Sequence, residues 1–243
     1  MSARYWTISE SGLAMGFSRA RERISDLAGD DLSAAMAGIG MNFAVSAATN
    51  PNIEDTLLFA SIEGMEHGDL RVLAVLVAWF GIHGSWVNAD RLISLARSQR
   101  SIRVRALWTA LAQWYRQDRR FARLCRLHRG TPVDLLAVGT NFLMKKRGED
   151  PRFQGTALRV PAGVLRDRPA DVLSPTELAR RHPAYRYRVM MGPSYRADMW
   201  AALATQPNLT TAQIARQAYG SYATAAAVRH AFAVVSIPDR GLN

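Results

Sequence analysis

The chain has a single cysteine, Cys125, so it contains no internal disulfide bond and cannot build a zinc site from cysteines. Its five histidines are scattered, without the close spacing that is typical of metal ligands. The sequence also lacks a Gly-x-Ser-x-Gly elbow, a Walker A loop and a dinucleotide-binding Gly-x-Gly-x-x-Gly after a strand. We therefore expect no metal and no cofactor, and we predict that the protein is not an enzyme.

Long hydrophobic runs are lacking as well. The most apolar stretch, Val72–Ile82, is about half as long as the roughly 20 residues that a membrane-spanning helix needs. The first residues do not form an apolar segment followed by a cleavage motif, so we see no signal peptide. These absences predict a cytoplasmic protein with no membrane partner.

Acidic residues are scarce relative to basic ones, with 20 Asp and Glu against 31 Lys and Arg and a net charge of +11. This excess favours a polyanionic partner, nucleic acid before membrane. Lysine is nearly absent, since Lys145 and Lys146 are the only two, and the abundance of arginine and alanine is typical of a high-GC bacterial genome. The distribution of the arginines is therefore more informative than their number.

The segment Ser194–Val235 has the pattern of a helix-turn-helix, beginning with an amphipathic helix. Tyr195, Met199 and Leu203 recur every four residues, so they share one face of that helix. Pro207 ends it, because proline cannot donate a hydrogen bond to the helical ladder.

Two further helices follow within this segment. Thr210 and Gln213 have the spacing of a capping box, which predicts a second helix that closes at Gly220. Ser221 then caps a third helix, with Val228 facing inward. Three short helices joined by tight turns are typical of proteins that insert one helix end into the DNA major groove. Scaffolding units have the same design, and that alternative remains open.

A similar order of elements occurs earlier in the chain. The spacing predicts a helix over Leu70–Ile82, a short extended piece at Ser85–Val87, a helix over Ala89–Arg97 and a long helix from Ile102 to about Leu127. Helix, short strand, helix, turn and helix is the order of a winged-helix module. The repeat is architectural and involves no detectable sequence identity.

We divide the chain into four segments on these patterns. Between the two modules, proline, glycine and β-branched residues increase, and Leu158–Pro161 and Tyr185–Val189 are candidate short strands or extended linker pieces. The predicted fold class is mainly α, with two tri-helical winged-helix-like units and a small mixed α/β connecting segment. The segments are an N-terminal helical segment (1–53), a basic winged-helix-like module (54–130), a mixed connecting segment (131–192) and a C-terminal helix-turn-helix unit (193–243).

Arginines gather around the predicted third helix of the first module. Arg100, Arg103 and Arg105 lie at its start, where they could pair with guanine or hold phosphates. The alternative is a solvated helix face whose side-chain stems cover apolar surface. The arginines further along this helix could equally dock an acidic partner. The candidate DNA-binding residues of this module are Arg97, Arg100, Ser101, Arg103 and Arg105.

The third helix of the C-terminal unit offers fewer side chains for reading DNA. Tyr222 and Thr224 could bond phosphates, and Ala223 or Ala227 could contact thymine methyl groups. The alternative is a helix of small residues that packs against a partner or against a second copy in a homodimer. The candidate DNA-binding residues of this unit are Ser221, Tyr222, Thr224 and Arg229.

Both units, Leu70–Leu127 and Tyr195–Val235, resemble bacterial winged-helix DNA-binding domains, most closely in the turn and helix at Leu209–Ala215. A basic winged helix joined to a further helical domain is also similar to the AbiEi-like antitoxins. That resemblance implies a protein that represses its own operon and accompanies a nucleotidyltransferase toxin. Antitoxins of this family usually have the DNA-reading unit at the N-terminus, whereas here a further segment precedes the first module.

The sequence therefore predicts sequence-selective binding of double-stranded DNA in transcriptional control, with the resemblance adding an autoregulating antitoxin role. Two alternative functions would also be explained by the excess of positive charge. One is a protein-interaction module that neutralises or scaffolds an acidic partner such as a toxin, and the other is a binder of structured RNA.

Overall fold

The computed structural model describes residues 27–236 and is mainly helical, as predicted. Its two short strands pair in parallel, with Val133 opposite Leu158. The helices are α1 (Gly29–Gly38), α2 (Ile53–Glu66), α3 (Leu70–His83), α4 (Ala89–Ser98), α5 (Ile102–Trp114), α6 (Thr140–Arg147), α7 (Pro175–Arg181), α8 (Pro183–Met191), α9 (Tyr195–Thr205), α10 (Thr211–Gln217) and α11 (Tyr222–Val235), and the strands are β1 (Val133–Asp134) and β2 (Leu158–Arg159).

The larger of two hydrophobic cores is organised around α2, which packs against α1, α3, α4 and α5. Helix α3 is apolar on nearly every side, and its residues from Val72 to Phe80 are all buried, as expected of a helix enclosed by others. This first core extends from Leu32 to Tyr185, so it includes residues of the 1–53, 54–130 and 131–192 segments. The second core is smaller and runs from Met199 to Val228.

The long helix predicted from Ile102 to about Leu127 is wrong in its second half, because α5 ends at Trp114. The chain then turns back, and its next residues pack on the helices that it has just left. The Thr109 hydroxyl donates to the Leu124 carbonyl over 3.1 Å, and the Phe121 ring lies 5.3 Å from that of Phe80. These contacts bury the apolar side chains that a continuing helix would expose.

Neither three-helix unit is confirmed as a winged helix. The piece at Ser85–Val87, predicted to be extended, begins within a 3₁₀ turn over Gly84–Trp86. The described residues between α3 and β1 include no strand, and β1 pairs with β2 in parallel rather than as a hairpin.

The candidate strand at Tyr185–Val189 is wrong, because these residues lie in α8. Pro183 occupies the first turn of this helix, and the His182 ring caps it by accepting from the Tyr185 amide over 3.1 Å. Tyr185 and Arg188 are both buried and three residues apart, which is the spacing of one helix face. The alternation of aromatic and basic residues was therefore a misleading signal of a strand.

Two buried histidines fasten α8 to the first core. The Tyr185 hydroxyl donates to His83 Nδ1 over 2.8 Å, and His83 Nε2 donates to the Leu173 carbonyl over 3.0 Å. His182 Nε2 donates to the Pro51 carbonyl over 2.9 Å. Burial lowers the pKa of each histidine from 6.5 to about 4, so both rings are neutral in the folded protein.

We expect the protein to lose stability as the pH falls from about 6.5 to about 4. In this window the unfolded chain binds protons at both histidines and the folded chain does not, so acid favours unfolding, by up to about 3 kcal/mol for each ring. Urea unfolding across this range measures the effect. His83→Gln should make the dependence shallower, whereas His230→Asn, at an exposed position, should leave it unchanged. An equal slope in the parent protein and in His83→Gln would contradict this interpretation.

No helix among residues 27–236 is long and apolar enough to cross a membrane. The described residues also include no group of three or more His, Cys, Asp or Glu side chains arranged to hold a metal ion.

Candidate nucleic-acid interface

Helices α9, α10 and α11 form a three-helix unit in which each helix contacts the other two. Met199, Leu203, Ile214 and Val228 meet in its core. The three helices predicted for this segment are confirmed, as are the inward positions of Met199 and Leu203, whereas Tyr195 is half-buried and lies outside this core.

The helix ends of this unit are fixed by the predicted caps. The Thr210 hydroxyl accepts from the Gln213 amide over 3.3 Å, and Gln213 Oε1 accepts from the Thr210 amide over 2.8 Å, which completes the capping box. The Ser221 hydroxyl accepts from the Thr224 amide over 3.1 Å at the start of α11. Local hydrogen bonds therefore set where α10 and α11 begin.

The turn between α10 and α11 brings α11 close to α9. Tyr219 has a φ of 54°, in the left-handed region that residues with a Cβ rarely adopt. At the next position, Gly220, a Cβ would overlap the Met199 side chain. Glycine therefore leaves room for the end of the Met199 side chain between α9 and the turn, and the left-handed residue reverses the chain.

The amino-terminal end of α11 faces solvent. Ser221 and Ala223 are exposed, and 64% of the Tyr222 surface is accessible. Thr224 is half-buried, and its hydroxyl lies 2.8 Å from that of Ser221. Arg229 lies about two turns further along α11, is exposed and reaches the Thr211 hydroxyl at 3.5 Å. Three of the four candidate residues of this unit are therefore exposed, with Ser221 and Tyr222 at the start of α11 and Arg229 in its middle.

The residues between Leu178 and Ser236 expose no carboxylate. Between Leu178 and Ser236 the sequence contains one acidic residue, Asp198, which is 8% exposed and paired with Arg188. The exposed charges over the same residues are all positive. They belong to Arg180, Arg181, Arg186, Arg196, Arg216 and Arg229.

The candidate residues of the first module have different structural roles. Arg103 donates to three backbone carbonyls, those of Met65 at 3.0 Å, Asp134 at 3.1 Å and Leu135 at 2.8 Å. Its guanidinium thereby ties the start of α5 to the end of α2 and to β1. Arg105 is half-buried, and its Nε is enclosed without a hydrogen-bond partner.

Of the remaining candidates of this module, Ser101 lies next to a carboxylate. Ser101 caps α5 and donates to Glu66 Oε1 over 2.6 Å, and Glu66 is also 4.0 Å from Arg103 Nε. An acidic group at the start of α5 disfavours a phosphate there. Arg97 and Arg100 are exposed.

Other arginines of the basic stretch also have structural contacts. Arg120 donates to Asp118 and to the carbonyls of Ser85 at 2.9 Å and Val87 at 3.2 Å. Arg123 pairs with Asp90. The density of arginine between 97 and 129 therefore overstates how much positive charge is available to a partner.

A buried group of charged residues joins the C-terminal unit to the first core. At its centre, the Arg188 guanidinium forms two-point contacts with both Glu54 (2.6 and 2.9 Å) and Asp198 (2.7 and 2.9 Å). Burial alone would lower the pKa of Arg188, but the two carboxylates outweigh it and raise that pKa, so the guanidinium stays charged. We call the junction cluster the set Glu54, Asp55, Arg91, Arg188, Asp198 and Tyr219.

The second half of the junction cluster holds the turn of the helix-turn-helix. The Tyr219 hydroxyl donates to Asp55 Oδ2 over 2.8 Å, and Asp55 also pairs with Arg91. The Arg91 guanidinium lies over the Tyr219 ring, 3.2 Å from its centroid. Burial raises the pKa of Asp55, and Arg91 opposes that shift. These contacts explain how a tyrosine is kept in the left-handed conformation.

The sequence analysis did not identify the junction cluster. Its members lie far apart in the chain, and the only sequence signal was the isolation of Asp198 in an otherwise carboxylate-free stretch. That isolation would have predicted a specific buried partner for Asp198.

No protein-family model matches the chain. Searches of curated proteins and of solved structures likewise give no match. The resemblance to winged-helix regulators and AbiEi-like antitoxins therefore stays a prediction.

Proposed function

We propose that the protein binds double-stranded DNA through α11, as a helix-turn-helix reader in transcriptional control. The observation that carries this proposal is the exposed amino-terminal end of α11, in a stretch of the chain (residues 178–236) that exposes arginines and no carboxylate. A helix-turn-helix uses this end of its third helix to contact base edges in the major groove.

The side chains on this end have the chemistry for such contacts. The Tyr222 hydroxyl and the Ser221 and Thr224 pair could bond phosphate oxygens, and Arg229, in the middle of α11, could pair with phosphate or guanine. Ala223 is small enough to let the helix approach a thymine methyl group. The exposed arginines of α8 to α10, which are Arg186, Arg196 and Arg216, supply charge that attracts the DNA backbone.

The rigid attachment of the three-helix unit supports the same function. The junction cluster holds both α9 and the α10–α11 turn against the first core, so α11 is presented in one orientation. Structured RNA fits α11 less well, because the major groove of A-form RNA is too deep and narrow for side chains to read.

A protein partner is the second candidate, and the other end of α11 favours it. Val234 is 59% exposed and Val235 is 72% exposed, next to exposed Ala233. Apolar side chains at the end of a helix suit a contact with a toxin or with a second copy of the chain. Both activities could coexist, since they use opposite ends of α11.

Titration of the protein against its own upstream DNA at several salt concentrations tests the proposal. We expect selective binding that weakens steeply with salt, because each neutralised phosphate adds about 0.9 to the slope of log K against log salt. A scrambled duplex should bind much more weakly, and the same sequence as duplex RNA should not compete. Equal affinity for the upstream and scrambled duplexes would contradict the proposal and favour the protein partner.

A further inference from the structure

A cavity of about 340 Å³ lies between the first core and the three-helix unit. Its volume is at the lower end of the range of about 300–1,000 Å³ that small-molecule sites occupy. Its walls come from the loop before α2 and from α8, α9, the end of α10 and the α10–α11 turn. The residues that matter here are Asn50, Asn52, Arg188, Gln206, Gln217 and Tyr219.

The charged wall of this cavity has little net charge. Of the charged residues in the junction cluster, only Arg188 and Asp198 line this cavity, and they carry opposite charges. Arg188 also pairs with Glu54, and the carboxylates of Glu54 and Asp198 lie in the first turns of α2 and α9, where each helix end supplies about half a positive charge. Glu54 and Asp198 accept four of the five N–H groups of the Arg188 guanidinium, and the Trp86 carbonyl accepts the fifth over 3.4 Å. A charged ligand therefore gains little here and would lose its hydration.

The uncharged wall, in contrast, has unused hydrogen-bonding groups. Asn50 Oδ1 accepts from the Ala184 amide over 3.4 Å, and Asn52 Oδ1 accepts from the Asp55 amide over 3.0 Å. The side-chain NH₂ group of neither asparagine has a partner among residues 27–236. In the same range, the side-chain amides of Gln206 and Gln217 make no hydrogen bond.

We propose that this cavity binds an uncharged, polyhydroxylated molecule with the size of a monosaccharide or a nucleoside. Hydroxyl groups both donate and accept, so they can satisfy the NH₂ groups of the asparagines and both ends of the glutamine amides. Ile53, Pro183 and Ala202 supply the apolar part of the wall for the carbon skeleton. The ligand contacts the first core and the three-helix unit together, so binding stabilises their attachment.

Calorimetric titration of the full chain with D-ribose, D-glucose and adenosine tests this site. We expect saturable binding of at least one of them, with a higher midpoint of thermal unfolding. Equal affinity for ribose and adenosine would identify a sugar site, and binding of adenosine alone would identify a nucleoside site. Ribose 5-phosphate and glucosamine, which carry a charge, should bind at least about tenfold more weakly than the neutral parent sugar.

The variant Gln206→Ala/Gln217→Ala should weaken binding about tenfold or more, because both side chains are exposed to the cavity and a lost hydrogen bond is worth about this factor. Gln117→Ala/Gln154→Ala, which removes two exposed glutamines outside the cavity, should bind as the parent does. Failure of all three neutral probes to bind would overturn the proposal. So would equal affinity in the two variants, or tighter binding of a charged analogue.

Discussion

Replacing Arg188 by methionine should lower the free energy of unfolding by about 3–5 kcal/mol, since it leaves buried Glu54 and Asp198 without a counter-charge. Arg188 is 1% exposed, so water cannot take over its role. Typical domains are stable by about 5–15 kcal/mol, which makes this a large share of the total. Urea unfolding of the parent and the variant measures the difference.

Two further variants separate the loss of the ion pairs from the loss of side-chain packing. Arg186→Met, at an exposed position of the same helix, should change stability by less than about 0.5 kcal/mol. Arg188→Met/Glu54→Leu/Asp198→Leu should recover most of the loss, because the charges that remain buried in the junction cluster, Asp55 and Arg91, pair with each other. If Arg188→Met were as mild as Arg186→Met, the junction cluster would not hold the two cores together.

Removing one exposed candidate side chain of α11 should weaken DNA binding about tenfold or more, while the fold is unchanged. Tyr222→Ala removes an exposed hydroxyl and ring, and Arg229→Ala removes an exposed charge that has one weak contact within the protein. Losses of about 1–3 kcal/mol are typical of side chains that contact DNA directly. Fluorescence anisotropy with the upstream duplex measures each affinity.

Arg100→Ala is the matched control for Arg229→Ala, because both arginines are exposed and each substitution removes one positive charge. We expect Arg100→Ala to reduce the affinity for DNA less than threefold, because the charge that it removes lies outside the proposed interface on α11. A loss of DNA affinity equal to or larger than that of Arg229→Ala would indicate that the DNA interface lies in the first module. Circular dichroism of each variant checks that the helices are intact.

The parts of the fold that the sequence predicted are those fixed by neighbours in the chain. The helix predicted at Ala89–Arg97 and the three C-terminal helices follow from caps and periodicity within a few residues, as the hydrogen bonds of Thr210 and Ser221 show. Such signals involve residues three or four positions apart, so they are visible without a structure.

The parts that could not be predicted depend on contacts between distant residues. Arg188 and Glu54 are 134 positions apart, and no local pattern marks them as partners. Arg103 has the same appearance in the sequence as a DNA contact, yet it donates to carbonyls more than thirty positions away. The prediction of a long helix after Ile102 was wrong for the same reason, because Phe121 packs against Phe80 instead of continuing the helix.

Attaching a DNA-cleaving iron chelate to α11 tests the central claim most directly. With Cys125→Ser as the background, Ala223→Cys places the chelate at the exposed start of α11, and Arg100→Cys places it near the start of α5. We predict strong cleavage of the bound upstream duplex from position 223, centred on one major groove, and weak or diffuse cleavage from position 100. Focused cleavage from position 100, with none from position 223, would contradict DNA reading by α11.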